Sequence, residues 1–326
     1  MGLNVSKQLT DRFRFGVQFF AQNFGPAGNY TPKIDWFYLD YRWRDWLGFR
    51  AGRLKIPMGL YNEVNDIDSA RVPVLLPQSV YPVQLRHFLF AQTGGELYGF
   101  ARSRWAGAVD YRFYGGTIHI DPSLVIPVGT QVQLKFNVPY TVGGRLTWET
   151  PLPGLRLAVS GFKLRLDTVA FIPAMPGLPM GLTTGIKNDS MLGVASLEYA
   201  LWALTFTAEY SRGHTKQESI LPDSNIDRTG DNWYVMLAYA ALPWLQPGVY
   251  YSLHFPDVDK RDGLDNKQRD LSLTLRFDLS RHWLVKLEGH YMVGTAGLIN
   301  PLQVGAAAPN PEGRWGVFLL KTTAYF

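Results

Sequence analysis

Long stretches of this sequence alternate between apolar and polar residues. In the run Leu271–Leu279, every second residue is Leu or Phe, and the residues between them are Ser, Thr, Arg and Asp. Because successive side chains of a β-strand point to opposite faces, such a run predicts a strand with one apolar and one polar face. The pattern recurs in about fifteen segments, each near the roughly nine to eleven residues that a tilted strand needs to cross a bilayer.

Short and long connections alternate along the chain. Short links are predicted at Thr10–Asp11, Arg44–Trp46, Ser103–Trp105, Pro151–Gly154, Leu201, Leu242–Trp244 and Arg281–Trp283. Long loops are predicted near 25–32, 57–93, 118–138, 168–189, 213–230, 256–267 and 297–314. Short periplasmic turns and long extracellular loops are typical of outer-membrane barrels. We therefore expect an all-β fold, a transmembrane antiparallel β-barrel that forms a single domain over residues 1–326.

The two ends of the chain bear on the number of strands. The segment Leu3–Leu9 leads into a short turn, so it is expected to run towards the periplasm. Bacterial barrels are usually even-stranded with both ends periplasmic, so we expect about sixteen strands in the intact molecule, with about fifteen visible here. Residues 1–4 show no leader, which predicts a mature or trimmed form. The terminal Tyr325-Phe326 resembles the C-terminal signature of bacterial outer-membrane barrels.

The ten tryptophans provide an independent indication of a membrane barrel. An indole ring prefers the interface between acyl chains and water. Those near short turns are Trp43, Trp46, Trp105, Trp148, Trp202, Trp244 and Trp283. Those at the loop ends of strands are Trp36, Trp233 and Trp315. The distribution predicts two aromatic girdles, one at each rim.

Composition and motifs exclude several classes of function. The absence of Cys excludes disulfides, iron–sulfur clusters and thiol catalysis. The formal charge of +5 comes from basic residues spread singly, which does not favour nucleic acid as a partner. The sequence contains no recognisable catalytic motif, and the six histidines lack metal-ligand spacing. We predict no enzyme activity, no catalytic residues, no metal and no cofactor.

The polar face of the strands is expected to point into the barrel, because a charge on the lipid face costs about 2–4 kcal/mol at the midplane. Two breaks in the alternation, at Ala51-Gly52 and Ser160-Gly161, are interpreted as β-bulges at glycine. The predicted pore-lining residues are Arg14, Arg50, Arg53, Lys55, Arg112, Arg145, Arg156, Lys163, Arg165, Arg276, Lys286 and Glu288. Many charges in one lumen favour a water-filled channel, and their basic excess favours anions.

The predicted loop at 57–93 is too long for an ordinary connection. It carries apolar residues such as Val72 and Leu76, which burial in the barrel mouth would remove from water. We expect it to fold towards the pore and to narrow it. The alternative is packing over the rim or against a neighbouring subunit. The predicted constriction residues are Tyr61, Glu63, Asp66, Asp68, Arg71 and Arg86.

The runs Ala51–Glu63 and Pro77–Tyr81 resemble proteobacterial outer-membrane porins similar to the phosphate-selective porin O and P family. In that family a Gly-Arg/Gln-hydrophobic-Lys-x-Pro-x-Gly strand end leads into the third-loop region. The resemblance implies a sixteen-stranded, usually trimeric, passive channel. The family's phosphate specificity depends on a constriction rich in lysine and arginine, whereas this loop holds Arg71 and Arg86 beside three carboxylates and no lysine. The transported solute therefore stays open.

These observations predict a porin of the bacterial outer membrane, a passive diffusion channel for small hydrophilic solutes or ions with a weak anion preference. Its expected partners are the lipid bilayer and lipopolysaccharide, small solutes or ions, and two further copies in a possible homotrimer. One alternative is a scaffold or conduit barrel that sheathes a partner protein. Another is a barrel-embedded hydrolase, whose Ser/His pair would lie on the lipid face or at the loop rim.

Overall fold

A computed structural model describes residues 1–21, 30–83, 91–120, 133–173, 182–219, 225–298 and 313–325. The chain forms one sheet of fifteen strands, and each strand pairs with its neighbours in the sequence. The strands are β1 (Gly2–Gln8), β2 (Phe13–Phe20), β3 (Lys33–Arg44), β4 (Leu47–Lys55), β5 (Ala91–Ser103), β6 (Gly107–Thr117), β7 (Gln133–Glu149), β8 (Leu155–Ile172), β9 (Leu182–Leu201), β10 (Leu204–Ser219), β11 (Ile226–Tyr239), β12 (Leu245–Phe255), β13 (Gln268–Ser280), β14 (Trp283–Val293) and β15 (Arg314–Ala324).

All pairings between described strands are antiparallel, which confirms the predicted all-β barrel class. Within the described residues no backbone pairing joins β1 to β15, so a sixteenth strand stays a prediction. Two short 3-10 helices, at Asn62–Val64 and Asp68–Ala70, lie between β4 and β5. None of the described helices is long and apolar enough to span a membrane.

Several predicted loops are shorter in the structure than in the sequence interpretation. The loops predicted at 168–189 and 213–230 are largely strand, because β8 runs to Ile172 and β11 begins at Ile226. Polar residues occupy both faces of most of these stretches, such as 213–219, so the apolar alternation that marks a strand is lost there although the backbone pairing continues. The strands β7 to β11 are therefore longer than the sequence predicted.

The two predicted bulges also differ from the structure. From Leu155 to Ile172, β8 pairs with β9 without a register shift, so no bulge lies at Ser160-Gly161. No shift occurs at Ala51-Gly52 either, although Gly52 has a φ of +138° that favours glycine. Without a slip, alternation decides which residues of β8, and of β4 up to Leu54, face inwards; Lys55, the last residue of β4, departs from it and directs its ammonium group inwards.

The tryptophans near the short turns follow the prediction, and those at the other rim follow it only in part. The side chains of Trp105 and Trp202, at two short turns, are 84% and 97% exposed. At the loop ends, only Trp233 lies on the outer face, opposite the exposed Tyr210. Trp36 donates to the inward-facing Gln18 and Trp315 lies opposite the buried Met292, so the predicted girdle is wrong for these two.

The described residues that follow β4, 56–83, lie inside the barrel. Among their side chains, Ile56, Met58 and Leu76 are almost fully buried. They belong to one apolar cluster with side chains from the inner faces of the strands, such as Tyr114 and Phe162. We call residues 56–83 the inner segment. The described part of the chain thus has its core within the barrel.

Candidate functional site

The inner segment brings Glu63 to two arginines of the barrel wall. One Glu63 carboxylate oxygen accepts from Arg112, and the other lies 2.8 Å from Nη1 of Arg145. Arg112 also pairs with the fully buried Glu96, whose oxygen lies 2.6 Å from Nη2. Burial opposes the charge of Glu63, but the attraction of Arg112 and Arg145 outweighs it and lowers the pKa of Glu63 to about 2.

A second contact holds the inner segment to its own entry strand. Nζ of Lys55 donates to Oδ1 of Asp66 and to the backbone oxygen of Glu63, both at 2.7 Å. Nε2 of Gln18, on β2, donates to the other oxygen of Asp66 at 2.9 Å. Lys55 therefore reaches the barrel interior from the last residue of β4.

A third cluster anchors the segment to the last strands. Oδ1 of Asp68 lies 2.8 Å from Nζ of Lys321, and its Oδ2 accepts from Thr323 at 2.7 Å. Burial opposes the charge of Asp68, but the hydrogen bonds from Lys321 and Thr323 lower its pKa below the ordinary value. Nζ of Lys286, fully buried, donates to the backbone oxygens of Asp68 and Arg71 at 2.9 and 2.8 Å.

The carboxylate of Glu288 binds the backbone of the same segment. It accepts from the amides of Val74 and Leu75 at 2.6 and 2.8 Å. His290 lies between Glu288 and Asp270, with each ring nitrogen 3.0 Å from a carboxylate oxygen. Both nitrogens face acceptors, so both must donate, which requires the doubly protonated imidazolium.

Two tyrosines of the inner segment dock on the opposite wall. The hydroxyl of Tyr61 donates to Glu198 at 2.9 Å, and that of Tyr81 donates to Glu209. Burial, followed by the charge of Glu198, raises the pKa of Tyr61, so its hydroxyl stays a neutral donor. Oε1 of Glu209 also accepts from the amide of Leu60 at 2.9 Å.

The structure places the predicted wall residues on both faces of the sheet. Lys55 reaches inwards as described, and the following residues lie on the inner face: Arg14, Arg50, Arg112, Arg145, Arg156, Arg276, Lys286 and Glu288. Three placements were wrong: Arg53 lies opposite the outward Phe37, Lys163 opposite the outward Val142 and Met191, and Arg165 beyond Lys163 on the same face. The physical reason is the absence of the two slips in register.

The predicted constriction residues Tyr61, Glu63, Asp66, Asp68 and Arg71 belong to the inner segment, whereas Arg86 lies outside the described residues. Sequence reasoning missed Tyr81 and Lys321 as anchors of the segment. Tyr81 stands near the end of an apolar run, where only its hydroxyl could signal a polar partner. In the described residues no group of His, Cys, Asp and Glu could hold a metal ion.

One histidine lies on the outer face of the sheet. His254 and His290 face inwards, but His214 lies on the outer face of β10 opposite Met191. Its Nδ1 is 3.2 Å from Oγ1 of Thr229, and its Nε2 is 3.5 Å from Oδ1 of Asp227.

The fold is similar to solved outer-membrane proteins. An anion-selective porin from Comamonas acidovorans superposes with a TM-score of 0.57 at 11% identity, over 99% of this chain and 88% of that chain. The outer membrane channel DcaP of Acinetobacter baumannii gives a TM-score of 0.57 at 11% identity, over 99% of this chain and 84% of that chain. Salmonella typhi OmpF, in complex with daunomycin, gives a TM-score of 0.59 at 11% identity, over 99% of this chain and 89% of that chain.

No protein-family model and no curated protein matches the sequence. The structural likeness shows the fold: this chain has the β-barrel fold of outer-membrane porins. The predicted resemblance to the phosphate-selective porins in particular stays a prediction.

Proposed function

We propose that the protein is a porin of the bacterial outer membrane that lets small hydrophilic solutes or ions diffuse through its lumen. The observation that carries this proposal is the inner segment, which crosses the barrel interior and is held by ion pairs at Glu63, Asp66 and Asp68. A segment fixed in this way narrows the lumen. A porin fold supports the same proposal.

A weak anion preference fits the cations that stay exposed inside the barrel. Most inner charges are paired, as Arg112 is with Glu63 and Glu96. Arg14 and Arg42, on the inner faces of β2 and β3, remain exposed. A path between the inner segment and β1–β4 would therefore present cations to a passing solute.

The test is single-channel conductance in a planar bilayer, with the reversal potential measured in a salt gradient. We expect open, ohmic steps and a reversal potential of weak anion preference. In Arg50→Gln, the carboxylates of Asp40 and Glu96 lose their shared cation, so the preference shifts towards cations. Arg53→Gln is the matched control, because Arg53 lies on the outer face of the same strand. Absence of conductance, or equal shifts in both variants, would contradict the proposal.

The conduit alternative is disfavoured by the same interior. The apolar cluster around Met58, Tyr61 and Leu76 occupies space that a sheathed partner protein would need. Copurification of a stoichiometric partner that blocks conductance would favour the conduit.

One observation favours a hydrolase as the second candidate. His214, Thr229 and Asp227 on the outer face are arranged as base, hydroxyl and acid in a nucleophilic site. The amides of β11 near Thr229 belong to the strand ladder with β10, which leaves few donors for an oxyanion. Hydrolysis of phospholipid esters by the wild type, lost in His214→Ala, would support this candidate. We expect no hydrolysis in either protein.

We also propose a homotrimer, because one neighbour, OmpT of Vibrio cholerae, was solved in a trimer form. Analytical ultracentrifugation in detergent tests it, and a monomer at all concentrations would contradict it.

A further inference from the structure

A groove lies on the outer face of the barrel wall, away from the interior site. Its floor is a row of three glycines on adjacent strands, Gly144, Gly161 and Gly193, which lie directly opposite one another. The row ends at Phe113 on one side and at Arg212 on the other. Because three neighbouring strands lack side chains at this level, the wall is hollowed from outside.

The groove has the size and lining of a ligand site. Its volume is about 960 Å³, near the upper end of the roughly 300–1,000 Å³ typical of small-molecule sites. Its walls are exposed apolar side chains, among them Val142, Val159 and Met191. An apolar groove of this kind fits hydrocarbon chains.

The extracellular side of the groove is cationic. Lys163 and Arg212, both exposed on the outer face, line it together with His214. Elsewhere on the outer face, cations pair with carboxylates, as Arg165 does with Asp167 and Lys216 with Glu218. Within the described residues, neither Lys163 nor Arg212 forms an ion pair; Asp231 lies opposite Arg212 in the next strand, but its carboxylate pairs with Arg261.

We propose that this groove binds a lipid that carries phosphate on its headgroup, with acyl chains over the glycine row and phosphate between Lys163 and Arg212. A cation facing acyl chains is costly, and an anionic headgroup offsets that cost through charge-assisted hydrogen bonds. A second copy of the barrel fits less well, because its apolar wall would bury both cations without partners. The inference goes beyond the channel function, although it rests on the proposed location in the membrane.

The test is native mass spectrometry of the full chain in detergent, with diphosphoryl lipid A as probe and its dephosphorylated form for comparison. We expect wild-type protein to retain the diphosphoryl form selectively. Lys163→Met and Arg212→Met each weaken retention by about fivefold, since a basic residue near an anionic surface contributes about 1 kcal/mol. Lys260→Met, at an exposed loop position, is the control for loss of charge.

Filling the groove provides an independent variant. A Cβ at Gly193 meets no atom within 4 Å, so the side chain of Gly193→Leu starts in open space and extends into the groove. Gly289 has equally open space on the outer face of β14, far from the groove, so Gly289→Leu is the matched control. We expect loss of lipid A from Gly193→Leu only, with wild-type conductance in both variants.

Three results would contradict the proposed lipid site. Equal retention in the two leucine variants, or equal binding of both forms of lipid A, would overturn the proposal. So would oligomers that dissociate in Gly193→Leu without any lipid selectivity, since a second copy would then occupy the groove. Because the groove lies outside the lumen, failure of the channel proposal would instead appear as silent bilayers with lipid binding intact.

Discussion

At the scale of single residues, Glu63 is the side chain whose environment has the clearest consequence. Its carboxylate neutralises two arginines of the wall, Arg112 and Arg145. In Glu63→Gln, Arg145 loses its carboxylate partner and becomes available to anions, whereas Arg112 keeps Glu96. We expect the anion-over-cation permeability ratio to rise by roughly twofold to fivefold, or up to about 1 kcal/mol. Reversal potentials measure it, with Glu149→Gln as control near the opposite rim; a shift towards cations would contradict it.

The lowered pKa of Glu63 predicts how the site responds to acid. The pKa falls from 4.5 to about 2 inside the barrel, so the ionised group stabilises the docked segment above pH 4.5. This contribution is lost as the pH falls from 4.5 towards 2. We expect a constant reversal potential from neutral pH to about pH 5, followed by a change that Glu63→Gln lacks. A change that persists in Glu63→Gln would assign the titration to another group.

Single residues also show where sequence reasoning succeeds and fails. It predicted that Glu63, Asp66 and Asp68 belong to a functional loop, because that loop is too long for an ordinary connection and its apolar residues need burial. The partners of these carboxylates could not be predicted from the sequence. Asp68, for example, contacts Lys321, which lies 253 residues away in the sequence. Such distant pairings depend on barrel closure and on register, neither of which a local pattern contains.

At the scale of elements, the inner segment is held by several buried anchors, of which Lys286 is one. Lys286 is fully buried and donates to three backbone oxygens of the segment, those of Asp68, Arg71 and Pro73. Lys286→Met keeps the volume of the side chain but removes this donor. The oxygen of Arg71 still accepts from Arg276 and that of Pro73 from Arg71, whereas the oxygen of Asp68 loses its side-chain donor, which costs about 1–3 kcal/mol. We expect the segment to undock from β13–β15 while the barrel stays folded.

Limited proteolysis measures this undocking. Arg71 is buried in the wild type, so trypsin does not cleave after it. In Lys286→Met we expect cleavage after Arg71 and larger, noisier conductance steps. Lys260→Met serves as control, because Lys260 lies in an exposed loop. Resistance of Arg71 in Lys286→Met would show that other anchors suffice.

The length of β8 explains why the sequence interpretation placed Lys163 and Arg165 on the inner face. Sequence reasoning inferred a slip at Ser160-Gly161 because outward charges are costly in a membrane. The continuous pairing of β8 with β9 shows instead that the strand outlasts its apolar alternation. Apolar alternation identifies a strand only where one of its faces meets lipid. Beyond Gly161, the outer face of β8 carries the charged residues Lys163, Arg165 and Asp167 instead.

At the scale of the whole molecule, the fold class and the order of strands followed from the period of two residues. The height of the wall did not, because it depends on where strands leave the bilayer. The side chains of Val159 and Val169 both lie on the outer face of β8, with exposures of 56% and 45%. Ten residues of strand cover about 33 Å, which a tilt near 45° reduces to about 23 Å of height.

This geometry predicts different surroundings for the two valines. The chain has no Cys, so Val159→Cys and Val169→Cys each accept a single spin label. We expect the label at 159 to lie in the acyl region and to be accessible to oxygen. We expect the label at 169 to lie in water and to be accessible to a water-soluble nickel chelate. Both substitutions are conservative in size and lie on the outer face, so the inner segment and the conductance remain as controls. Equal oxygen accessibility at both sites would mean that the outer half of β8 is covered by lipid or by another subunit, and that its charged residues require partners beyond water.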